Sequence, residues 1–209
     1  MTIHPATGNV WKMRDTVETP PEADGQSLRD RIVDTDEAIF QAIASHHAPA
    51  LDRTLPDLSV AASYSRIWMG IAAILAIFGG RSERIAAAEG MLAVGITSLL
   101  ANLVLKRLIP RQRPTAAVPE ERELPDPESS SFPSGHTASG AAFSGAVGRA
   151  LPRWWAPLNA LAGTIGFSRV YTGVHHPSDV AVGWMIGKMV AAVVRRSGLV
   201  PRLAMRLGG

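Results

Sequence analysis

From Gly135 to Val194 the chain reads GHTASGAAFSGAVGRALPRWWAPLNALAGTIGFSRVYTGVHHPSDVAVGWMIGKMVAAVV. Small and aliphatic residues dominate this stretch and form three segments, Gly135–Leu151, Trp155–Val170 and Ser178–Val194. Each segment approaches the ~20 residues that cross the hydrocarbon core of a bilayer. Glycine at this density favours close packing of helices inside a membrane bundle. The stretch therefore predicts three helices that span a membrane.

Two further apolar segments lie upstream, at Leu58–Phe78 and Ile85–Leu105. Of the 18 Asp and Glu residues, ten lie before residue 58 and five between residues 120 and 128. Acids confined to a tail and one loop are typical of a membrane protein. The predicted fold is an all-α integral membrane bundle of about five spans, preceded by an amphipathic helix at the membrane surface. A soluble domain of buried helices is the alternative, because charged residues such as Glu89 and Lys188 interrupt the segments.

The chain before the spans divides into two parts. Residues 1–26 predict a disordered polar tail, rich in Pro, Glu and Thr and without the apolar run of a signal peptide. Residues 27–57 predict an amphipathic interfacial segment, in which Ser27 caps a helix and Asp30 follows three residues later. Residues 58–197 then form the membrane domain, and residues 198–209 form a C-terminal tail. The Pro/Glu/Ser-rich loop 116–131 is too acidic to be buried.

The composition excludes several classes of function. The chain has 209 residues, of which 46% are hydrophobic and 19% charged, and this fits one domain. It has no cysteine, so disulfides, thiolate zinc sites and cysteine nucleophiles are excluded. The formal net charge is only +3, and no basic run is interleaved with aromatic residues, so no nucleic acid partner is expected.

Two motifs place cations and a helix N-terminus at the ends of predicted spans. Lys106 follows the second span, and Arg113-Pro114 lies in the loop beyond it. Alone, these would be ordinary basic residues that reach toward lipid headgroups. Pro133–His136 opens the third span, where Ser134 is suited to cap the helix and Gly135 allows close approach to the free amides, which favours an anion. Alone, this motif would be a capped helix with a surface histidine.

The third motif is Ser168-Arg169, followed by His175 and Asp179. The last helix is predicted to begin just before Asp179, whose carboxylate can accept a hydrogen bond from one imidazole nitrogen of His175. Asp179 is the only acid in the last 81 residues, and a carboxylate in apolar surroundings needs a partner. His175 and Arg169 are the partners expected. An N-cap acid beside a surface histidine is the simpler alternative.

Five spans bring the three motifs to the same face of the bundle. Three cations and free helix amides can hold the equatorial oxygens of a phosphoryl group. Two histidines, one on either side of that group, suit an in-line displacement at phosphorus. We therefore expect a site for phosphoryl transfer.

The chain resembles the type 2 phosphatidic acid phosphatase family, position for position, at the three signature motifs Lys106–Pro114, Pro133–His136 and Ser168–Asp179. That family is similar to vanadium haloperoxidases and class A bacterial acid phosphatases. The resemblance implies that residues 58–197 form a membrane phosphatase domain acting on a lipid phosphate or lipid pyrophosphate. Its membrane members commonly have six spans, whereas this chain shows five.

The resemblance also implies a role for each motif residue. His175 attacks phosphorus and becomes a phosphohistidine, Asp179 orients its imidazole, and His136 protonates the leaving group. The phosphate oxygens are held by Lys106, Arg113, Ser134, the amide of Gly135, and Arg169. The residue chemistry agrees, since a nucleophilic histidine must be neutral with one nitrogen fixed, and a general acid needs a pKa near the working pH.

No cluster of carboxylates or histidines has the spacing of a metal site, and His4, His46 and His47 are expected at the surface. The reaction is therefore expected to need no metal or other cofactor, and the expected partners are the lipid phosphate and the bilayer. Two alternatives remain. One is a vanadate-dependent haloperoxidase, and the other is a non-enzymatic membrane protein that binds anionic lipid headgroups.

The arginines near span ends predict the orientation in a bacterial plasma membrane. Eight lie on the face opposite the motifs and four on the motif face: Arg81, Arg84, Arg149, Arg153, Arg195, Arg196, Arg202 and Arg206, against Arg53, Arg107, Arg111 and Arg122. The positive-inside rule then places the motifs outside the cytoplasm. Export of a long acidic tail without a signal peptide argues for the opposite orientation.

Overall fold

The computed structural model describes residues 27–46, 48–115, 118–125 and 129–206. Within these ranges the chain is helical and contains no strand. The predicted tail 1–26, which includes His4, lies outside the described residues, as does His47. The helices are α1 (Leu28–Ala44), α2 (Pro49–Ala61), α3 (Arg66–Phe78), α4 (Arg81–Leu99), α5 (Lys106–Leu108), α6 (Gly135–Ala150), α7 (Trp155–Tyr171), α8 (Pro177–Ser197) and α9 (Leu199–Arg206). A π-helical segment, Leu100–Leu105, joins α4 to α5 without a break in the axis.

α6 is the central helix of the bundle and is enclosed by α4, α7 and α8. Every residue from Thr137 to Gly148 is buried. Most are Ala, Gly or Ser, which allows neighbouring backbones to approach closely. A Cβ atom on Gly187 of α8 would lie 2.3 Å from the carbonyl oxygen of Ala138, and one on Gly183 would lie 2.6 Å from that of Ser134. These two glycines therefore bring the N-terminal halves of α6 and α8 together.

We expect Gly187→Ala to lower the stability of the protein, because the added methyl group meets backbone atoms that cannot rotate away. Overpacking of this kind typically costs ~1–3 kcal/mol. Gly163→Ala is the matched control, since a Cβ there meets nothing within 4 Å, and alanine favours a helix over glycine by ~1 kcal/mol. Thermal unfolding in detergent measures both variants. Equal melting temperatures would contradict the close contact between α6 and α8.

Four of the five predicted spans are helices with nearly the expected bounds. They are Ile85–Leu105 in α4 and its π-helical extension, Gly135–Leu151 in α6, Trp155–Val170 in α7, and Ser178–Val194 in α8. Two helical stretches within the described ranges are long and apolar enough to cross a membrane, Arg81–Leu108 and Pro177–Arg206. The bent pair Pro49–Ala61 and Ser63–Phe78 makes a third if it counts as one span. A total of five spans remains a prediction.

The single helix predicted over Leu58–Phe78 is wrong. α2 ends at Ala61, and the chain bends by 61° before α3. Tyr64 and Ser65 take left-handed φ angles of 54° and 59°, which no regular right-handed helix accommodates. Arg66 stabilises the bend, since its side chain donates to the carbonyl oxygens of Val60 at 2.7 Å and Ser63 at 3.2 Å. The charged residue that interrupts the apolar segment therefore satisfies carbonyls near the end of α2.

The predicted cap of α1 is confirmed. The hydroxyl of Ser27 accepts from the amide of Asp30, and the carboxylate of Asp30 accepts from the amide of Ser27, each at 3.2 Å. α1 packs its buried residues Phe40 and Ala44 against Val170 of α7. Within the predicted C-terminal tail, residues Leu199–Arg206 form a helix, α9, after a left-handed turn at Gly198.

The acidic loop is anchored by a buried arginine. The side chain of Arg122 is fully buried, and its Nε donates to the carboxylate of Asp52 in α2 at 2.6 Å. Its other nitrogens donate to the carbonyl oxygens of Ala44 and His46, and its guanidinium lies 4.1 Å from the ring centroid of Tyr171. The described acids of the loop are exposed, but the expectation that the loop is not buried fails at Arg122 and Ser131, which are both fully buried.

Candidate active site

The three motifs meet where α6 and α8 begin and α7 ends. The amide of Ser134 donates to the carbonyl oxygen of Asp179 at 3.0 Å, which joins the two helix N-termini directly. After α7 the chain turns at Gly173, which has a φ of 72°. The carbonyl oxygen of Arg169 then accepts from the amides of Val174 and His175, at 3.2 and 3.1 Å. This turn holds His175 against the end of the helix that carries Arg169.

A cavity of about 770 Å³ opens between these elements. Six of the eight predicted site residues line it: Lys106, Arg113, Gly135, His136, Arg169 and His175. The other two, Ser134 and Asp179, are fully buried behind its wall. The bend between α2 and α3 forms another part of the wall, through Val60, Ala62, Ser63, Tyr64 and Ser65. The sequence prediction that the motifs converge is therefore correct.

His175 and Asp179 form the expected pair. Nδ1 of His175 lies 3.5 Å from Oδ2 of Asp179, an ion-pair distance that is long for a hydrogen bond. Oδ2 also lies 3.5 Å from Nδ1 of His176 and accepts from the His176 amide at 2.9 Å. Burial lowers the pKa of His175 to about 4, against the opposing effect of Asp179, and the positive charges of Arg169 and Arg113 lower it further. The imidazole of His175 is therefore neutral at neutral pH, as a nucleophile requires.

Arg169 does not pair with Asp179, contrary to expectation. Its Nη1 donates instead to the hydroxyl of Ser59 in α2. The buried Nε of Arg169 has no hydrogen-bond partner among the described residues. Lys106 Nζ donates to the hydroxyl of Ser129 at 3.2 Å. Arg113 donates to the carbonyl oxygens of Val174 and of Ser129, the latter at 3.0 Å. Lys106 and Arg113 thus share a partner, Ser129, and the side chains of all three cationic residues line the cavity.

The first turn of α6 presents His136 to the cavity. Its Nε2 is buried and has no hydrogen-bond partner within the described ranges. A buried polar atom without a partner destabilises the fold, so a bound ligand is expected to form a hydrogen bond with it. His136 is therefore not a surface histidine. Ser134 occupies the N-cap position, but its hydroxyl accepts from Thr137 Oγ1 at 3.0 Å and not from a backbone amide. The first amides of α6 thus lack the side-chain cap that the sequence predicted, and helix N-termini of this kind bind anions.

Asp179 pairs with Arg111, a partner that the sequence did not predict. Arg111 Nη1 donates to Oδ1 of Asp179 at 2.7 Å, and Nη2 donates to Asp36 of α1 at 2.7 Å. A signal for Asp36 was present in the sequence: it lies four residues after Ile32 and four before Phe40, on the apolar stripe of an amphipathic helix. An acid at that position indicates a buried partner. The sequence did not indicate that Arg111 would be this partner, because the loop around it contains several other charged residues.

His46 is exposed, as predicted. Within the described ranges no group of three or more His, Asp or Glu side chains is arranged to hold a metal ion.

Comparison with known proteins identifies the family. The PAP2 superfamily profile matches residues 86–199. The chain is 36% identical to the decaprenylphosphoryl-5-phosphoribose phosphatase of Mycobacterium tuberculosis, over 72% of this chain and 82% of that protein. It is 32% identical to the undecaprenyl-diphosphatase BcrC of Bacillus subtilis, over 75% of this chain and 78% of that protein. The chain belongs to the PAP2 superfamily.

Solved structures agree with this assignment. The transmembrane PAP2-type phosphatidylglycerolphosphate phosphatase of Bacillus subtilis superposes with a TM-score of 0.64 at 27% identity, covering 79% of this chain and 85% of that one. The Aquifex aeolicus LpxE structure gives the same TM-score and identity, covering 76% of this chain and 93% of its own. The chain is thus a membrane phosphatase of the lipid phosphatase type, with the helical architecture of that class.

Proposed function

We propose that this enzyme removes the terminal phosphate of a lipid phosphate or lipid pyrophosphate without a metal ion, through a phosphohistidine on His175. The observation that supports this most is the shared cavity, which places two histidines among three cations beside a helix N-terminus. Fixed positive charges and amides directed at the developing negative charge supply the main stabilisation of a phosphoryl-transfer transition state. Simple binding of an anionic headgroup requires the cations but neither the His175–Asp179 pair nor His136.

The reaction proceeds in two displacements. In the first, Nε2 of His175 attacks phosphorus while Nδ1 faces Asp179, and the bond from phosphorus to the leaving oxygen breaks. His136 gives its proton to that oxygen. In the second, His136 takes a proton from a water molecule, the oxygen of that water attacks phosphorus, and the P–N bond breaks. Inorganic phosphate leaves and His175 returns to its neutral form.

The substrate is best identified by a release assay on the purified protein in detergent. The panel contains phosphatidic acid, phosphatidylglycerol phosphate, a polyprenyl diphosphate and a polyprenylphosphoryl-5-phosphoribose, which represent the substrates in the names of the relatives and the family. We expect phosphate release from at least one of the lipids and a clear preference within the panel. Binding of these lipids without release of phosphate would contradict the proposed activity.

We expect a chelator to leave the rate almost unchanged and vanadate to inhibit. Lys106, Arg113 and Arg169 supply the positive charge that divalent ions supply in other phosphoryl-transfer enzymes, and vanadate adopts the five-coordinate geometry of the transferring group. Phosphate release measured with and without each additive tests both statements. Activity that a chelator abolishes and only a divalent metal restores would refute the first. Bromoperoxidase activity in the presence of vanadate would favour the haloperoxidase alternative.

We also propose a bundle of about five spans in a bacterial plasma membrane, with residues 27–57 at the membrane surface and residues 58–197 as the phosphatase domain. The site then faces away from the cytoplasm, by the positive-inside rule. The absence of native cysteine allows a direct test. Cysteine at the exposed position Glu121, in the loop that bears the site, is expected to react with an impermeant maleimide in intact cells.

Ser82→Cys, at the exposed opposite end of α4, is the matched control and is expected to react only after the cells are opened. The reverse pattern would place the site on the cytoplasmic leaflet. Labelling of both cysteines in intact cells would show a leaky preparation, which a cytoplasmic marker protein identifies independently.

A further inference from the structure

A buried carboxylate on α1 lies at the edge of the active site and has no part in the two displacements. The side chain of Asp36 is only 5% exposed. Burial of a charge is costly unless it is paired and hydrogen-bonded, and Asp36 is both. Oδ2 accepts from Arg111 Nη2 at 2.7 Å and from the hydroxyl of Ser178, and Oδ1 accepts from the amide of Ser178 at 2.8 Å.

The guanidinium of Arg111 lies between two carboxylates. Its Nη2 binds Asp36, and its Nη1 binds Oδ1 of Asp179 and the hydroxyl of Ser178, each at 2.7 Å. A planar guanidinium fixes the directions of its hydrogen bonds, which a lysine cannot do. The contacts therefore form a continuous series from Asp36 through Arg111 and Asp179 to His175.

This series determines how the Asp179 carboxylate is turned. Oδ1 is held by Arg111, so Oδ2 is directed toward the His176 amide at 2.9 Å and Nδ1 of His175 at 3.5 Å. A carboxylate held at one oxygen alone would be free to rotate away from His175. Arg111 removes that freedom, and Asp36 in turn holds Arg111.

Charge balance gives Asp36 a second effect. A lone arginine beside Asp179 would offset the negative charge of the carboxylate and weaken its attraction for the imidazole of His175, whose Nδ1 lies 3.5 Å from Oδ2. Asp36 shares the positive charge of Arg111, so Asp179 keeps more of its strength as an acceptor. The nucleophile is then both oriented and more basic than it would be beside an unbalanced arginine.

We propose that Arg111 and Asp36 are positioning residues for His175, acting through Asp179, and that the packing of α1 against the bundle completes the active site. This inference rests on the proposed function. It assigns α1 a role in catalysis in addition to any contact with the membrane surface. Phe40 and Ala44, which pack against Val170, hold the same face of α1 in place.

The test compares Asp36→Asn, Arg111→Gln and Arg111→Lys with two controls. Glu37→Gln and Arg107→Gln change exposed neighbours of the two positioning residues and carry the same change of charge. We expect kcat to fall ~10- to 100-fold in Asp36→Asn and Arg111→Gln, by analogy with the loss found when a partner that orients a metal-binding histidine is removed. KM should stay within about threefold, because neither residue lines the cavity. Arg111→Lys should recover only part of the loss.

The pH profile separates positioning from simple unfolding. The charged and titratable groups around His175 come from every element that packs against it. They are Asp179 in α8 and His176 just before it, Arg169 of α7, His136 of α6, Lys106 of α5 and Arg113 of the loop. Arg111 of the loop and Asp36 of α1 lie behind Asp179. Removal of the Arg111 charge leaves Asp179 more negative, so the pKa of His175 should rise and the acidic limb of kcat/KM should move to higher pH. Asp36→Asn should move that limb to lower pH. A structural defect would not move the two profiles in opposite directions.

A second measurement does not depend on turnover. The pKa of His175 can be followed by ¹³C NMR of labelled histidine in detergent, with the signal assigned by its loss in His175→Ala. Opposite shifts of the His175 pKa in Arg111→Gln and Asp36→Asn would support the positioning role, even if the wild-type protein released no phosphate. In that case only the proposed function would fail. If the wild-type protein is active and the variants match Glu37→Gln and Arg107→Gln in kcat and in pKa, the inference is wrong. The inference would also be overturned if the losses of kcat among the variants paralleled their losses of melting temperature while the pKa of His175 stayed unchanged.

Discussion

His175→Ala is expected to abolish phosphate release while the protein remains folded. Loss of a positioned proton-transfer group typically costs ~10²- to 10⁴-fold, and loss of the nucleophile should cost at least as much. The reason is geometric: His175 is the cavity-lining histidine that pairs with a buried carboxylate, and burial keeps it neutral. His175 lines an existing cavity, and Asp179 keeps its hydrogen bonds with Arg111 and the His176 amide, so we expect the truncation to enlarge that cavity and leave the bundle folded.

Two measurements check this expectation. Phosphate release from the preferred lipid gives the loss of turnover, and quenching a reaction with ³²P-labelled lipid in alkali traps any phosphohistidine on the wild-type protein. His46→Ala removes an exposed histidine and is the control for general effects of losing an imidazole. The assignment would fail if His175→Ala retained more than a few per cent of wild-type turnover, or if label stayed on the variant.

The sequence was sufficient to predict the convergence of the three motifs. Each motif couples chemically unusual residues to a helix end, such as His175 before Pro177 and His136 directly after Gly135. Helix starts and stops are local properties, so both ends of α6 and α7 and the start of α8 could be predicted to within about one residue. The end of α8 lies three residues beyond the predicted Val194. Once those ends and the order of the spans are known, the motifs have to lie on one face.

The bend before α3 was not predictable from the same signals. Residues 58–78 contain neither glycine before position 70 nor proline, the usual markers of a break. The break arises at Tyr64 and Ser65, where left-handed angles are stabilised by contacts of the neighbouring Arg66. Hydropathy treats Arg66 as an interruption of a span and gives no information on what its side chain binds.

The contacts of α1 were missed for a related reason. An amphipathic helix outside the spans predicts a surface position, and amphipathicity does not distinguish a lipid surface from a protein surface. The buried carboxylate of Asp36 is paired with Arg111, which lies in a loop 75 residues later in the chain, and it also accepts hydrogen bonds from Ser178 at the start of α8. Pairings over such a separation depend on the assembled bundle, and a single sequence does not reveal them.

His136→Ala is expected to affect substrates according to their leaving groups. A lipid alkoxide is a poor leaving group and requires a proton from His136, so its phosphate release should fall by the ~10²- to 10⁴-fold that a general acid contributes. A nitrophenolate requires little protonation, so the first displacement on an aryl phosphate should be nearly unchanged. The position of His136 is consistent with this role, since the residue lines the cavity and its Nε2 has no hydrogen-bond partner among the described residues.

The same variant should accumulate the intermediate. The second displacement needs His136 to remove a proton from water, so His136→Ala should release one equivalent of nitrophenolate in a rapid burst and then hydrolyse its phosphohistidine slowly. Rapid-quench kinetics with an aryl phosphate and a lipid monophosphate measure both phases. Thr137→Ser, one residue along α6, is the control because its hydroxyl is retained and it lies outside the cavity. Equal losses of turnover for the two substrates, with no burst, would exclude His136 as the general acid. Lys106 or Arg113 would then be the candidate for the group that stabilises the leaving oxygen.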